Sequence, residues 1–130
     1  MSPKAIHITY WTITILFALF MLMAGVVEAI QHESGKEIMT HLGYPFHALT
    51  VLGIGKILGA IGIIQNKSRV LKEWAYAGFT FTFIGAFAAR FSAHDDIGLI
   101  ISPFIFLAFM FASYFLWKKV ETLANTKNIA

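Results

Sequence analysis

Residues 97–117 read IGLIISPFIFLAFMFASYFLW, a stretch of 21 residues without a single charged side chain. A helix of about 20 residues, rising about 1.5 Å per residue, crosses the roughly 30 Å hydrocarbon layer of a membrane. The apolar residues of this stretch do not keep to one helix face, which favours lipid over the surface of a soluble domain. The stretch therefore predicts a membrane-spanning helix.

Three further apolar runs of similar length precede it, at residues 8–30, 46–64 and 74–93. The composition agrees, because 58% of the 130 residues are hydrophobic and only 13% are charged. A soluble chain of this size has a large surface to cover and carries about twice that share of charge. We therefore predict an all-α polytopic membrane protein, a four-transmembrane-helix bundle forming a single domain over residues 1–130. The connection at 31–44 has room for a short helix around 33–39.

The distribution of positive charge orients this predicted bundle. Seven of the ten Lys and Arg residues fall on one side, namely Lys4, Lys67, Arg69, Lys72, Lys118, Lys119 and Lys127. Lys36 is alone on the opposite side, and Lys56 and Arg90 lie inside spans. The positive-inside rule then places both termini in the cytoplasm of a multi-pass protein.

Aromatic residues mark the same side. Trp11, Trp74 and Trp117, together with Tyr10, Tyr76 and Tyr114, are expected at one level, as in an interfacial belt at the inner lipid headgroups. The net charge of +3 is then explained by lysines that face lipid headgroups. We therefore expect the lipid bilayer, and no nucleic acid, as a partner.

Three ionisable residues, Glu28, Lys56 and Arg90, lie within the predicted spans, and such residues indicate a functional site by default. Glu28 and Arg90 lie toward the outer ends of their spans, and Lys56 lies near the midplane. Cα–Cβ bonds tilt toward a helix's N-terminus. The side chains of Glu28 and Arg90 are therefore displaced toward the cytoplasmic side, and that of Lys56 is displaced toward the outer side. We expect an outer-half cluster in which Glu28 neutralises Lys56 or Arg90. A purely structural ion pair or interfacial anchor would satisfy the same pattern.

Glycines in the second span and a proline in the last span are expected to affect how these two helices pack and bend. Gly55-x-x-x-Gly59 predicts a seam where another helix packs closely, or space for a ligand beside Lys56. Pro103 removes the N–H that would bond to the carbonyl of Leu99, so a kink is expected in the last span.

Histidines and aspartates concentrate on the outer side, at His32, His41, His47, His94, Asp95 and Asp96. Their spacings match no metal-ligand motif, and we predict no metal site. Arg90 and His94 are four residues apart on one helix face, which suggests a lining role at the outer mouth. The candidate ligand-binding residues are Lys56, Arg90, Glu28, His94, Asp95 and His47.

Five segments in order, GYP at 43–45, LGIGKILGA at 52–60, LKEWAYAGF at 71–79, IGA at 84–86 and HD at 94–95, resemble the DoxX-like family of small four-helix membrane proteins. The resemblance implies a four-helix bundle in the bacterial cytoplasmic (inner) membrane. It also places the lysine of the Gly-rich span and the polar end of the third span within the family's pattern. The wider family includes a subunit associated with thiosulfate oxidation and quinone reduction, and relatives that look like assembly or trafficking factors.

Two functions are compatible with these residues. In the first, the chain is a membrane subunit that binds a lipophilic ligand such as a quinone, with Lys56, Arg90 and Glu28 on its head group and His94 and Asp95 as a gate. Since cysteine, haem and flavin motifs are absent, electron transfer would need another membrane or redox subunit. In the second, the chain is an assembly protein whose Gly-rich faces pack against other helices or copies of itself, and the polar cluster is structural. No enzyme class is assigned. A transporter is less favoured, because no inverted repeat is visible.

Overall fold

The computed structural model describes residues 2–129, and the side chains of residues 2–125. Within these residues the chain is helical and contains no strand. The helices are α1 (Pro3–Ala29), α2 (Glu33–Leu42), α3 (His47–Ile64), α4 (Arg69–Ser92) and α5 (Ile97–Ile129). The predicted all-α class is confirmed, and the short helix expected in the first long connection is α2.

The helix boundaries follow local side-chain chemistry. The hydroxyl of Ser2 caps α1 by accepting from the N–H of Ala5, with Pro3 in the first turn. The hydroxyl of Ser68 caps α4 in the same way, accepting from Leu71. Gly43 ends α2 in the left-handed region at φ 81°, a conformation that glycine adopts without steric cost.

A single glutamine holds the turn between α3 and α4. The side-chain amide of Gln65 donates to the carbonyls of Gly62 and Ser68, and its oxygen accepts from the N–H groups of Lys67 and Ser68. These four bonds satisfy polar backbone groups that the helix ends leave free. The turn therefore brings α4 back against α3.

The four long helices pack side by side. Helix α1 contacts α3 and α5, and α4 contacts the same two helices, while α2 lies against α3. Tyr10, Lys72 and Trp117 meet at one end, which we name the Lys72 end. Glu28 and Lys56 meet toward the other, which we name the Asp95 end after the α4–α5 turn. Neighbouring long helices are therefore antiparallel, and the start of α1, the α3–α4 turn and the late part of α5 share the Lys72 end.

An aromatic core fills the space between α1, α4 and α5. The ring of Phe17 packs edge-on against Phe79 at 5.2 Å, and Phe83 stacks on Phe106 at 5.9 Å. The opposite faces of the helices are apolar and uncovered, with Phe81, Trp74 and Ile97 each at least 70% exposed. An apolar surface of this extent requires lipid or protein to cover it.

Three helical segments are long and apolar enough to cross a membrane among the residues described: Pro3–Ala29, His47–Ile64 and Ile97–Asn125. They correspond to three of the four predicted spans. Helix α4 has sufficient length at 24 residues, but Thr, Tyr and Trp and a charged first turn lower its mean hydropathy. The hydroxyls of Thr80 and Thr82 donate to backbone carbonyls one turn earlier, which lowers the cost of placing them in an apolar medium.

Close packing of α1 on α3 occurs at a different glycine from the one expected. A Cβ on Gly53 would lie 2.5 Å from the carbonyl oxygen of Gly25 and from the amide of Ala29. Of the predicted Gly55-x-x-x-Gly59 seam, only Gly59 is closely packed, and Gly55 leaves open space, which the sequence allowed as the alternative. Gly59 faces the ring of Phe79, whereas Gly55 faces open space.

The carbonyl freed by Pro103 has a replacement donor. Pro103 lies inside α5, and the hydroxyl of Ser102 donates to the carbonyl of Leu99 at 2.9 Å. The orphaned acceptor is thus satisfied within the helix. The predicted kink stays a prediction.

Candidate functional site

Lys56 and Glu28 form a direct ion pair between α3 and α1. Lys56 Nζ donates to Glu28 Oε1 at 2.6 Å, and the two side chains are 16% and 23% exposed. The close approach of the helices at Gly53 sets their separation, and their antiparallel directions lean the side chains toward each other. Glu28 is thus bonded to Lys56, one of the two partners that the sequence allowed. Its second oxygen, Oε2, is buried and has no hydrogen-bond partner among the described residues.

Arg90 belongs to a separate cluster at the Asp95 end. Arg90 Nη1 donates to Asp95 Oδ2 at 3.0 Å, and His41 Nε2 donates to Asp95 Oδ1. The Asp95 side chain is only 5% exposed. The hydrogen bond from His41, and after it the one from Arg90, hold the pKa of Asp95 below its ordinary value. This cluster links α2 to the end of α4.

The remaining candidates do not join either cluster. His94 and His47 are exposed, and neither side chain has a hydrogen bond or ion pair to another described residue. His94 has a left-handed backbone at φ 57°, just after the end of α4. Among the residues described, no group of three or more His, Asp or Glu side chains could hold a metal ion.

The six candidate residues predicted from the sequence therefore do not form one cluster in the structure. Glu28 pairs with Lys56, Arg90 pairs with Asp95, and the two histidines face outward. His41 was missed as the second partner of Asp95, because the two residues are separated by 54 positions and no spacing rule connects them.

A groove of about 590 Å³ runs between α3 and α4, and its lining contains no residue of α1. Among the described residues, Lys56 is the only charged one in its lining, which also includes Gly55, Gly78, Trp74, Phe79 and Thr82. A Cβ added at Gly55 or Gly78 would meet nothing within 4 Å, so the missing side chains leave this space open. Neither Arg90 nor the candidate histidines line it. The lining of the groove is mainly apolar and includes one lysine.

A second charged group, missed by the sequence reasoning, lies at the Lys72 end. Lys72 was expected to face headgroups, yet it is only 2% exposed. Its Nζ lies 5.2 Å from the ring centre of Tyr10, 5.7 Å from that of Trp11 and 5.3 Å from that of Trp117. It donates one hydrogen bond, to Asn66 Oδ1 at 3.0 Å. Cation–π attraction to three rings replaces the water that this ammonium has lost.

The predicted interfacial belt needs a related correction. Tyr10, Tyr76 and Trp117 are 1%, 2% and 5% exposed, and they pack inside the protein. Trp74 is 70% exposed and fits the expected position. Of these, Tyr76 bonds through its hydroxyl to Ser113 at 2.7 Å, and Ser113 bonds in turn to Thr14 at 2.6 Å, whereas the buried Tyr10 hydroxyl has no hydrogen-bond partner among the described residues. Aromatic residues at one level therefore include both core and surface positions.

Uncovered apolar helices, a polar pair held between two of them and a family comparison together define a helical membrane protein. The model of the DoxX-like family matches residues 12–113, and the chain therefore belongs to the DoxX-like family. The matched region contains Glu28, Lys56, Lys72, Arg90 and Asp95. Comparisons with curated proteins and with solved structures find no match.

Proposed function

We propose that the chain is a four-span subunit of the bacterial cytoplasmic membrane that binds a lipophilic ligand with a polar head, such as a quinone, in the α3–α4 groove. Both termini lie in the cytoplasm, and residues 1–130 act as one domain. Lys56 contacts the ligand's polar group, and Glu28 holds Lys56 in place.

The proposed topology draws on the packing of α4. This helix lies between α3 and α5 over the depth of the aromatic core, so it occupies the same layer as the three more apolar helices. Its charged residues fall near its two ends, at Arg69, Lys72, Glu73 and Arg90. The Lys72 end also collects most of the chain's positive charge, which favours the cytoplasmic side.

The observation that carries the ligand proposal is the groove beside Lys56. An ammonium has three N–H donors, and Lys56 uses one of them on Glu28. A quinone carbonyl oxygen can accept a hydrogen bond from one of the remaining N–H donors of Lys56. Because this oxygen is neutral, it adds no charge to the site. The exposed ring of Trp74 offers a face, and the open positions at Gly55 and Gly78 admit a flat group or an isoprenoid tail.

The other candidate residues take supporting roles in this proposal. The contacts of Asp95 with Arg90 and His41 fix α2 over the Asp95 end. The chain has no cysteine, so it supplies no thiol relay or iron–sulfur ligands of its own. Electrons would therefore reach or leave a bound quinone through a partner subunit.

Assembly is the second candidate function, and the same two glycines favour it. Open positions at Gly55 and Gly78 would let the backbone of another membrane helix approach α3 and α4 closely. In that case the occupant of the groove is protein, and the Glu28–Lys56 pair is structural.

Filling the groove tests the proposal. Decylubiquinone, a short-chain quinone, is titrated into the purified protein while quenching of tryptophan fluorescence is measured. Gly78→Leu should raise the dissociation constant at least about tenfold, because the leucine occupies the binding volume. Gly85→Leu is the matched control, since Gly85 is on the same helix, is equally open and does not line the groove.

The outcomes separate the two functions. Saturable quenching that Gly78→Leu weakens and Gly85→Leu preserves supports the ligand site. Equal quenching of all three proteins contradicts it. Loss of a co-purifying membrane protein in Gly78→Leu, with no saturable quenching in the unchanged chain, would favour assembly.

A further inference from the structure

From the surroundings of Lys72 we infer a second binding site, which takes the phosphate group of an anionic phospholipid at the Lys72 end. The site is a pocket of about 310 Å³ between α1, the α3–α4 turn and α5, and we name it the Lys72 pocket. Its polar lining includes Lys72, Arg69, Asn66 and Ser68, and its aromatic lining includes Trp11 and Trp117. It lies at the opposite end of the molecule from the Glu28–Lys56 pair.

The incomplete bonding of the buried ammonium is the first argument. Lys72 donates one hydrogen bond, to Asn66, and no carboxylate lies within ion-pair distance of it in the described part of the chain. Two N–H donors are left without a protein acceptor. Buried charges are normally paired, and an anion in the pocket would complete the pair.

The local charge balance is the second argument. Glu121 is the acidic residue of the pocket lining, and it accepts a hydrogen bond from Arg69 Nε at 2.8 Å. Lys118 Nζ lies 3.9 Å from the other oxygen of Glu121. Lys118 and Arg69 also pair with Glu73. The two carboxylates, Glu73 and Glu121, therefore face three cations, Arg69, Lys72 and Lys118, and one positive charge is in excess. The resulting excess of positive charge suits a phosphate, whose oxygens accept bonds from ammonium, amide and hydroxyl donors.

The position of the pocket selects a lipid as the source of the phosphate. The lining combines Trp11 and Trp117 with Asn66 and Ser68 of the α3–α4 turn, so the pocket lies at the end of the bundle where α3 ends and α4 begins. Basic pockets between helices on the cytoplasmic side suit anionic headgroups, while the acyl chains lie along the apolar helix faces. The choice of leaflet rests on the proposed topology, whereas the phosphate site itself does not.

The test compares lipid binding to the purified full chain by native mass spectrometry, with phosphatidylglycerol as the anionic probe and phosphatidylcholine as the zwitterionic one. We expect phosphatidylglycerol to be preferred and Lys72→Gln to weaken its binding at least about fivefold. Since a buried substitution can impair folding, Ala124→Glu provides an independent variant. Ala124 lines the pocket and is exposed, so a carboxylate there repels an anion without disturbing the core.

Asn125→Glu is the matched control for Ala124→Glu. Asn125 is the next residue of α5, is also exposed and does not line the pocket. Weaker phosphatidylglycerol binding in Ala124→Glu, with unchanged binding in Asn125→Glu, supports the site. Equal affinities in these two variants, or no preference for the anionic lipid, would overturn it. Inorganic phosphate as competitor distinguishes the source: displacement of the lipid by phosphate supports a site for free phosphate in place of a lipid, and no displacement supports the lipid.

Discussion

Lys56 on α3 and Glu28 on α1 are joined by a hydrogen bond of 2.6 Å, although 28 positions separate them in the chain. The pair is formed where two backbones approach closely at Gly53, and it positions Lys56 in the lining of the α3–α4 groove. One pair thus connects the packing of the helices with the proposed ligand site.

Breaking this pair on one side should destabilise the protein strongly. Lys56→Met leaves the Glu28 carboxylate without its partner in an apolar region, and the free energy of unfolding should fall by about 3 kcal/mol. Thermal unfolding in detergent, followed by circular dichroism, measures the change. The double variant Glu28→Met/Lys56→Met should recover most of the loss, because no uncompensated charge remains. A double variant no more stable than Lys56→Met would show that the pair is not the cause.

The two neighbouring glycines of α3 should respond differently to the same substitution. Gly53→Leu forces a side chain against the backbone of α1, so we expect a loss of stability of about 3 kcal/mol or more. Gly55→Leu adds its side chain to open space and should change stability by less than about 1 kcal/mol. Unfolding midpoints of the two variants, measured side by side, give the comparison. Equal losses would contradict the observed seam.

Acid should weaken the attachment of α2 at the Asp95 end. The native pKa of Asp95 lies below its ordinary value of 3.8, so the unfolded chain takes up a proton at higher pH than the folded one. The contribution of Asp95 is therefore fully present above pH 3.8 and is lost as the pH falls through the lower native pKa. Hydrogen exchange of α2 between about pH 5 and pH 1 follows this loss. Asp95→Asn should make α2 exchange faster near neutral pH and remove this acid-dependent component.

The buried hydroxyl of Ser113 should be more important than its small size suggests. Ser113→Ala removes the hydroxyl that bonds to Thr14 and Tyr76, and we expect a loss of about 2 kcal/mol. Thr12→Val is the control, because the Thr12 hydroxyl is exposed and bonds only to the carbonyl of Ile8. Chemical denaturation of both variants provides the measurement. A loss no larger in Ser113→Ala than in Thr12→Val would contradict this role.

The helices and their order could be predicted from the sequence because hydrophobic runs of about 20 residues are a strong signal. The ends were less accurate. Helix α4 begins at Arg69, five residues before the predicted span, since Ser68 and Gln65 provide caps that hydropathy does not detect.

The side-chain partners could be predicted only where helix direction limited them. Because α1 and α3 are antiparallel, the side chains of Glu28 and Lys56 point toward each other, and the structure contains that pair. The bond between His41 and Asp95 depends on how α2 folds over the Asp95 end, which no pattern in the sequence encodes. Lys72 was misplaced for a related reason, because charge patterns identify the end of a bundle and not the direction in which a lysine points.

Photolabelling with an azidoquinone tests the proposed site most directly. Ultraviolet light couples the bound quinone to nearby side chains, and peptide mass spectrometry locates them. We expect labels within residues 51–62 and 71–82, the parts of α3 and α4 that line the groove, and we expect excess decylubiquinone to suppress them. Labels spread over α1 and α5, or labels that the competitor does not suppress, would contradict it.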